Sequence, residues 1–170
     1  MQHTRIVVLG GGYSGLLAAQ RLGHQLGHQH ADITLIDGSP DFVQRIRLHQ
    51  IAADQTPIKL SKAKLLQRNG VKFMQGRVTR LNPESNSLTV SDQIVSYDYL
   101  IYALGSFVDT TRVSGIQEHA FALGSEANAI ALRDRLTHIQ QGGRLIICGG
   151  GLTGIEAATE LAETYPALQI

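Results

Sequence analysis

Short, continuous apolar runs alternate along this chain with longer segments whose apolar residues recur at helical spacing. Arg5–Leu9 is apolar after its arginine, which predicts a parallel strand buried on both faces. Ser14–Leu26 follows with a helical pattern, and Ile33–Asp37 is the next apolar run. The order of strand, glycine turn, helix and strand predicts a βαβ unit of about the length that dinucleotide binding needs.

The middle of the chain changes from long to short periodic segments. The alternating residues between Arg77 and Ser96, with a turn signal at 82–86, predict an antiparallel β-meander. The other elements predicted here are helices over Asp41–Ala53 and Ser61–Asn69 and strands over Val71–Gln75 and Tyr99–Ala103.

The last third repeats the strand and helix pattern of the beginning. Ser125 is placed to cap a helix over Ser125–Gln140, and a second helix is predicted over Thr153–Thr164. Strands are predicted over Arg144–Cys148 and from Leu168 onward. The fold class expected is therefore α/β, with one Rossmann-like domain over residues 1–110 and the first half of a second over 111–170.

Two glycine fingerprints of the form G-x-G-x-x-G lie at Gly10–Gly15 and Gly149–Gly154, each between a predicted strand and a predicted helix. In the first, Gly10 would allow the tight turn, Gly12 the close approach of a pyrophosphate, and Gly15 the packing of helix on sheet. The N-terminus of the helix then offers N–H groups and a partial positive charge to phosphates. Two such turns predict a protein that binds two dinucleotides and passes electrons between them.

Asp37 ends the second predicted strand, 27 residues after Gly10. A carboxylate there can accept hydrogen bonds from both ribose hydroxyls, which favours a cofactor without a 2′-phosphate. The same spacing from Gly149 places the equivalent residue near position 176, beyond Ile170. We therefore expect an N-terminal fragment of a longer protein, the alternative being a short natural protein that ends in an edge strand.

Composition excludes several other classes of protein. Apolar residues make up 43% and charged residues 17%, which is typical of a folded core, and the formal net charge of +1 argues against a nucleic-acid partner. The first apolar run is too short for a signal peptide or a membrane span. Cys148 is the single cysteine, so no intramolecular disulfide forms and a cytoplasmic location is expected. We expect Cys148 to be buried in its strand and unreactive.

Three segments stand out in combination: Val7–Gly15 with Asp37, Tyr97–Ser106 and Ile147–Glu156. Together they resemble the two-dinucleotide flavoproteins of the pyridine nucleotide-disulfide oxidoreductase superfamily. In the middle segment, Leu104 stands where the family usually has threonine. The family's redox cysteine pair is missing, since Phe42–Gln50 contains no cysteine, and the chain is most similar to type II NADH dehydrogenases and apoptosis-inducing-factor-like reductases.

The resemblance implies an FAD site and an NAD(P)H site. None of the seven histidines, His49 included, has metal spacing with a cysteine or a carboxylate cluster, so no metal is expected. Glu156 matches a family glutamate near the contact of nicotinamide and flavin, the alternative being a solvated carboxylate favoured by the helix dipole. Arg45 would approach the flavin or its phosphates, or else be a surface charge. The FAD site would comprise Gly10, Gly11, Gly12, Tyr13, Ser14 and Gly15 at the pyrophosphate, Asp37 and Gly38 at the ribose, Val78 at the adenine, and Ala103, Leu104 and Gly105 along the FAD. The NAD(P)H pyrophosphate would meet Gly149, Gly151, Thr153 and Gly154.

The function implied is hydride transfer from NADH or NADPH to FAD, followed by electron transfer to an acceptor, with a quinone favoured. Two alternatives stay open at this point: a flavin monooxygenase, and a truncated dinucleotide-binding module without catalysis. Unpaired strand edges make a homodimer an expected assembly. Any attachment to a membrane surface is expected through a C-terminal part outside this sequence.

Overall fold

The structure is a computed structural model that describes residues 3–27, 30–139 and 142–170. None of the helices in these ranges is both long and apolar enough to span a membrane. The strands are β1 (Thr4–Leu9), β2 (Ala31–Asp37), β3 (Asp41–Phe42), β4 (Leu60–Ser61), β5 (Lys72–Gln75), β6 (Val78–Asn82), β7 (Ser87–Val90), β8 (Gln93–Ser96) and β9 (Tyr99–Tyr102). The helices are α1 (Tyr13–Leu26), α2 (Leu48–Ala52), α3 (Lys62–Gln67), α4 (Ile116–His119), α5 (Glu126–Thr137) and α6 (Leu152–Thr164), with a 3₁₀ turn over Arg45–Arg47.

The chain divides into two compact units, Met1–Val43 with Lys59–Ser106, and Gln44–Ile58 with Phe107–Ile170. The second unit thus includes residues 44–58, which the sequence-based division at residue 110 assigns to the first domain. The division into an FAD domain and a nicotinamide domain stays a prediction.

A parallel sheet with the strand order β5-β2-β1-β9 forms the centre of the first unit. Because side chains alternate across a strand, successive residues of β1 serve two cores. Ile6 and Val8 pack with α1 and α3, whereas Val7 and Leu9 pack toward the antiparallel sheet of β6, β7 and β8. This two-sided burial explains the continuous apolar run of β1 and confirms the predicted α/β fold class and meander.

The second unit contains α2, α4, α5 and α6. In its core, Ala52 at the end of α2 and the next residue, Ala53, pack with leucines of α5 and α6. Ser125 caps α5 as predicted, because its hydroxyl accepts a hydrogen bond from the backbone N–H of Asn128. The predicted end of this helix, Gln140, lies outside the described residues.

Two predicted elements are wrong. The helix predicted over Asp41–Ala53 is instead a short strand, a 3₁₀ turn and the five-residue α2. Residues 41–42 pair with Leu60–Ser61. The rings of Phe42 and Tyr13 pack edge to face, with their centroids 4.9 Å apart. These tertiary contacts outweigh helical propensity.

The strand predicted over Arg144–Cys148 is reduced to one parallel bridge between Arg144 and Gln169. A buried parallel strand needs partners along its whole length, and in the described part of the chain this segment has that single bridge. Cys148 is consequently exposed, which corrects the expectation that it is buried.

Candidate cofactor-binding turns

The first glycine turn connects β1 to α1 in a geometry that requires glycine at both of its ends. Gly10 has a φ of +104°, and its N–H donates to the carbonyl of Ile36 at 2.9 Å. A Cβ atom on Gly10 would overlap the carbonyl oxygen of Ala103, and one on Gly15 would overlap the carbonyl oxygen of Gly10. The turn is therefore packed against the residue that follows β9 and against its own helix.

Gly12 supplies the open position of this turn. It is the N-cap of α1, with φ −76° and ψ −167°, and no side chain caps the helix there. A Cβ atom on Gly12 would meet nothing within 4 Å. The first helical N–H groups have no partners within a helix, so this N-terminus combines free space with donors. That combination fits the pyrophosphate of a dinucleotide.

Asp37, at the end of β2, lies directly beside the turn. Its Oδ2 accepts a hydrogen bond from the N–H of Gly11 at 2.5 Å. Its Oδ1 accepts from the N–H of Ser39 at 2.8 Å and from Nζ of Lys62, also at 2.8 Å. The predicted acidic residue of the ribose site is thus brought to the turn and is already bound by three donors.

The pKa of the Asp37 carboxyl lies below its ordinary value. Burial alone would raise this pKa, but the hydrogen bond from Lys62, those from the backbone of Ser39 and Gly11, and the charge of Lys62 together outweigh burial. Asp37 is therefore ionised at neutral pH.

Sequence reasoning missed Lys62, which is buried at the first position of α3. The first turn of a helix favours acidic residues, because the helix dipole repels a cation there. A lysine in that position was the signal that could have identified a special partner. The ammonium group also donates to the carbonyl oxygen of Ser39 at 2.8 Å, which ties β2, the following loop and α3 together.

The remaining residues predicted for the first site lie on β6 and on the segments that follow β1, β2 and β9. Ala103 contacts Gly10, as described above, and Gly38 follows Asp37 and is exposed. Tyr13 and Ser14 open α1 and are exposed, and Leu104 and Gly105 follow β9 and are exposed. Val78 begins β6 and pairs with Val90 in the meander, where its contact with an adenine stays a prediction.

The second glycine turn has nearly the same backbone. Gly149 has a φ of +122°, and a Cβ atom on Gly154 would overlap the carbonyl oxygen of Gly149. Gly151 is the N-cap of α6, with φ −77° and ψ 174°, no side chain caps the helix, and a Cβ atom on Gly151 would meet nothing within 4 Å. This turn fits a pyrophosphate by the same criteria as the first.

The side chains around the second turn are much more exposed. Ile146 is 76% exposed and Leu152 is 73% exposed. Thr153, in the first turn of α6, is exposed as well. The fingerprint geometry therefore forms here without a buried strand leading into it, unlike at the first turn.

Glu156 lies on α6, close to His49 of α2. Its Oε2 is 3.6 Å from Nδ1 of His49, whose side chain is largely buried while that of Glu156 is 40% exposed. Gln55, just after α2, donates a hydrogen bond from Nε2 to Oε1 of Glu160 on α6. Two polar contacts thus hold the face of α6 that carries Glu156, and its role near a nicotinamide stays a prediction.

Arg45 lies in the 3₁₀ turn Arg45–Arg47 of the second unit and is exposed. Its predicted contact with a flavin or its phosphates stays a prediction.

Comparison with known proteins identifies relatives over nearly the whole chain. The family model described as pyridine nucleotide-disulphide oxidoreductase matches residues 4–165. A type II NADH:quinone oxidoreductase of Staphylococcus aureus is 26% identical over 181 aligned residues, which cover 96% of this chain. The chain spans 44% of the length of that relative.

Solved structures share the fold. The sulfide:quinone oxidoreductase from Aquifex aeolicus superimposes with a TM-score of 0.78 at 22% identity, over 97% of this chain and 42% of the other. The NADH:rubredoxin oxidoreductase from Clostridium acetobutylicum gives a TM-score of 0.75 at 26% identity, over 98% of this chain and 44% of the other.

Proposed function

The chain belongs to the pyridine nucleotide-disulphide oxidoreductase family, and from this premise we propose that it binds FAD at the first glycine turn and NADH or NADPH at the second. In the whole protein these sites serve an oxidoreductase that passes hydride from the nicotinamide to the flavin and electrons on to a quinone. The observation that carries the proposal is the repetition of one turn geometry at two helix N-termini, each with an open N-cap glycine.

FAD is assigned to the first turn because that turn has the more complete surroundings. Gly10 and Gly15 abut Ala103, which directly follows β9, and the ionised carboxylate of Asp37 lies beside the turn to receive an adenosine ribose. A 2′-phosphate next to that carboxylate would be repelled, which supports a cofactor without one.

The nicotinamide nucleotide is assigned to the second turn, where α6 presents its N-terminal N–H groups. The bound cofactors supply the hydride and electron transfer, so the protein has to bind and orient them. Glu156, five residues into α6 and held beside His49, is the side chain we propose to lie near the nicotinamide. Residues 1–170 contain one cysteine, Cys148, so no dithiol is formed within them.

The acceptor is proposed from the relatives. One relative is a type II NADH:quinone oxidoreductase, which supports a quinone as the acceptor. The structurally similar NADH:rubredoxin oxidoreductase has a protein, rubredoxin, as the acceptor in its name. Both are NADH oxidoreductases, which supports NADH as the donor.

A second candidate function is dinucleotide binding without hydride transfer by this chain. The exposure of Ile146 and Leu152 favours it, because a nicotinamide site needs walls that exclude water. The two candidates differ in whether a nicotinamide nucleotide reduces flavin bound to the chain.

The test is performed anaerobically on FAD bound to the purified chain. NADH and, separately, NADPH are added, and reduction of the flavin is measured as the loss of its absorbance. We expect Gly151→Ala to fold normally, because its φ suits alanine and its Cβ atom meets open space, but to lose about tenfold or more in apparent nucleotide affinity because the methyl group fills the pyrophosphate position. Gly150→Ala is the matched control, since its Cβ atom also meets nothing within 4 Å and it occupies the variable position of the fingerprint.

Each outcome decides between the candidates. The proposal is supported, and the donor identified, if one nucleotide reduces the flavin with the same apparent affinity in the wild type and in G150A but with a lower affinity in G151A. Flavin that is bound but reduced by neither nucleotide favours the binding module. Equal reduction in G151A and wild type contradicts the assignment of the second turn.

A further inference from the structure

Lys62 is a buried cation, and its surroundings hold the side chain in one position. It is 3% exposed, the lowest exposure of a charged side chain among the described residues. Its Nζ donates to Oδ1 of Asp37 and to the carbonyl oxygen of Ser39, both at 2.8 Å. A buried ammonium is unfavourable unless it is paired and hydrogen-bonded, so these two acceptors fix where the lysine ends.

Gly11 provides the space for the stem of that lysine. A Cβ atom on Gly11 would lie 2.7 Å from Cε and 2.8 Å from Cδ of Lys62. A methyl group on Gly11 would therefore have to displace this stem, and it would also lie 3.1 Å from Cδ2 of Leu35. The fingerprint leaves this position variable, and here the glycine leaves room for the stem of Lys62.

The hydrogen bonds of Asp37 limit what its carboxylate can still accept. Each carboxylate oxygen has two acceptor positions. Ser39 and Lys62 occupy both positions of Oδ1, and Gly11 occupies one of Oδ2. One position of Oδ2 is left, and the side chain of Asp37 is 21% exposed, which leaves room for a ligand to reach it.

We propose that Lys62 is a positioning residue for the adenosine ribose of FAD: it holds Oδ1 of Asp37 so that Oδ2 is presented, ionised and fixed, to one ribose hydroxyl. The inference rests on the proposed function, because it takes the first turn to be the FAD site. It differs from the sequence-based expectation that Asp37 accepts from both ribose hydroxyls.

Lys62 also makes ribose binding resistant to acid. The charged side chain that the structure places against Asp37 is Lys62 of α3, and the other donors are backbone N–H groups of the glycine turn and of Ser39. Without the ammonium, burial would act against the remaining hydrogen bonds, and the pKa of Asp37 would rise. The carboxylate would then become protonated, and lose affinity for a ribose hydroxyl, at a higher pH than in the wild type.

The experiment measures the FAD dissociation constant of the full chain from pH 7 down to the acid limit of folding. Lys62→Met keeps the apolar stem and removes the charge, and Lys64→Met, an exposed lysine on the same helix, is the matched control. We expect K62M to bind FAD roughly tenfold or more weakly at neutral pH and to lose binding at a higher pH than wild type. K64M should match the wild type in both readouts.

The melting temperature of the FAD-free proteins over the same pH range separates this inference from the proposed function. An unchanged dissociation constant and pH profile in K62M would overturn the inference and leave the proposed function intact. A wild-type chain that binds no FAD would contradict the proposed function. In that case, a difference in melting temperature between wild type and K62M that narrows as the pH falls, because Asp37 stabilises the wild type only while it is ionised, still supports the hold of Lys62 on Asp37, and parallel curves overturn it.

If K62M does not fold, the double variant Asp37→Asn with Lys62→Met replaces it, because it leaves no buried charge without a partner. We expect this variant to fold and to bind FAD weakly with no acid transition of its own. FAD binding that matches the wild type in affinity and pH profile would overturn the inference.

Discussion

The two glycine turns share a backbone but differ in what surrounds them. Both begin with a glycine of positive φ, and both end with a glycine whose Cβ atom would overlap the carbonyl of the first. At the middle position they differ, because a Cβ atom on Gly11 would strike Lys62, whereas one on Gly150 would meet nothing within 4 Å. The fingerprint therefore sets the local turn, and the neighbouring elements decide how firmly it is held.

The same difference extends to the strands that lead into the turns. β1 is paired on both sides over most of its length, and Gly10 bonds to Ile36 of β2. Within residues 142–170 and the other described ranges, the segment before Gly149 has one bridge, from Arg144 to Gln169. Substitutions at equivalent positions should thus have larger effects at the first turn than at the second.

The largest expected effect is at the last glycine of each turn. Gly15→Ala should lower the free energy of unfolding by about 3 kcal/mol, because the new methyl group overlaps Gly10, whose backbone is buried and bonded to β2. Gly154→Ala should cost about 1 kcal/mol, since the exposed turn at Gly149 can shift. Urea unfolding of both variants measures the difference, and equal losses would show that the surroundings do not matter.

The middle glycines should give a smaller difference. Gly11→Ala should cost about 1–2 kcal/mol, because its methyl group displaces the stem of Lys62, and it should also weaken FAD binding. Gly150→Ala should change stability by no more than about 0.5 kcal/mol. Thermal unfolding of the two variants tests this, and a G11A variant as stable as G150A would contradict the role given to Lys62.

The smallest effect concerns Asp98, which anchors the strand leading to the first turn. Its carboxylate accepts from the backbone N–H of Arg5 at 2.7 Å and from the guanidinium at 2.8 Å, and these bonds lower its pKa to about 2. Because the folded pKa is below the ordinary value of about 3.9, the stabilisation is complete above that value and is lost as the pH falls toward 2.

The measurement is the melting temperature of wild type and of Asp98→Asn against pH. The two curves should differ by a small, constant amount above about pH 5 and converge toward pH 2. Added salt should reduce the difference, because both side chains of the pair are about 40% exposed. A difference that is independent of pH would contradict the assignment.

Elements with strong, local signals were predicted correctly from the sequence. The runs and helical spacing around Val8 and Leu16 predicted β1, α1 and β2 because the sheet is buried on both faces. Ser125 predicted the start of α5 because capping is a local interaction, here between residues three apart in the chain. The family that the three segments resemble is confirmed by the match over residues 4–165.

Features that depend on distant partners were missed. The pairing of Asp41–Phe42 with Leu60–Ser61 joins residues about 20 positions apart, and no local pattern announces it. Lys62 and Asp37 are 25 residues apart, and their contact exists only because α3 ends up beside β2. Among the described residues, the apolar run before Gly149 has one bridge and no partner strand, and apolar character alone does not supply a partner.

The central claim, that the first turn is an FAD site, is tested most directly by FAD titration of the wild-type chain and of Gly12→Ala. The φ of Gly12 suits alanine and its Cβ atom meets open space, so G12A should have the melting temperature of the FAD-free wild type. The account predicts that the wild type binds FAD and that G12A binds it at least about tenfold more weakly. Equal FAD binding by the two proteins would contradict it.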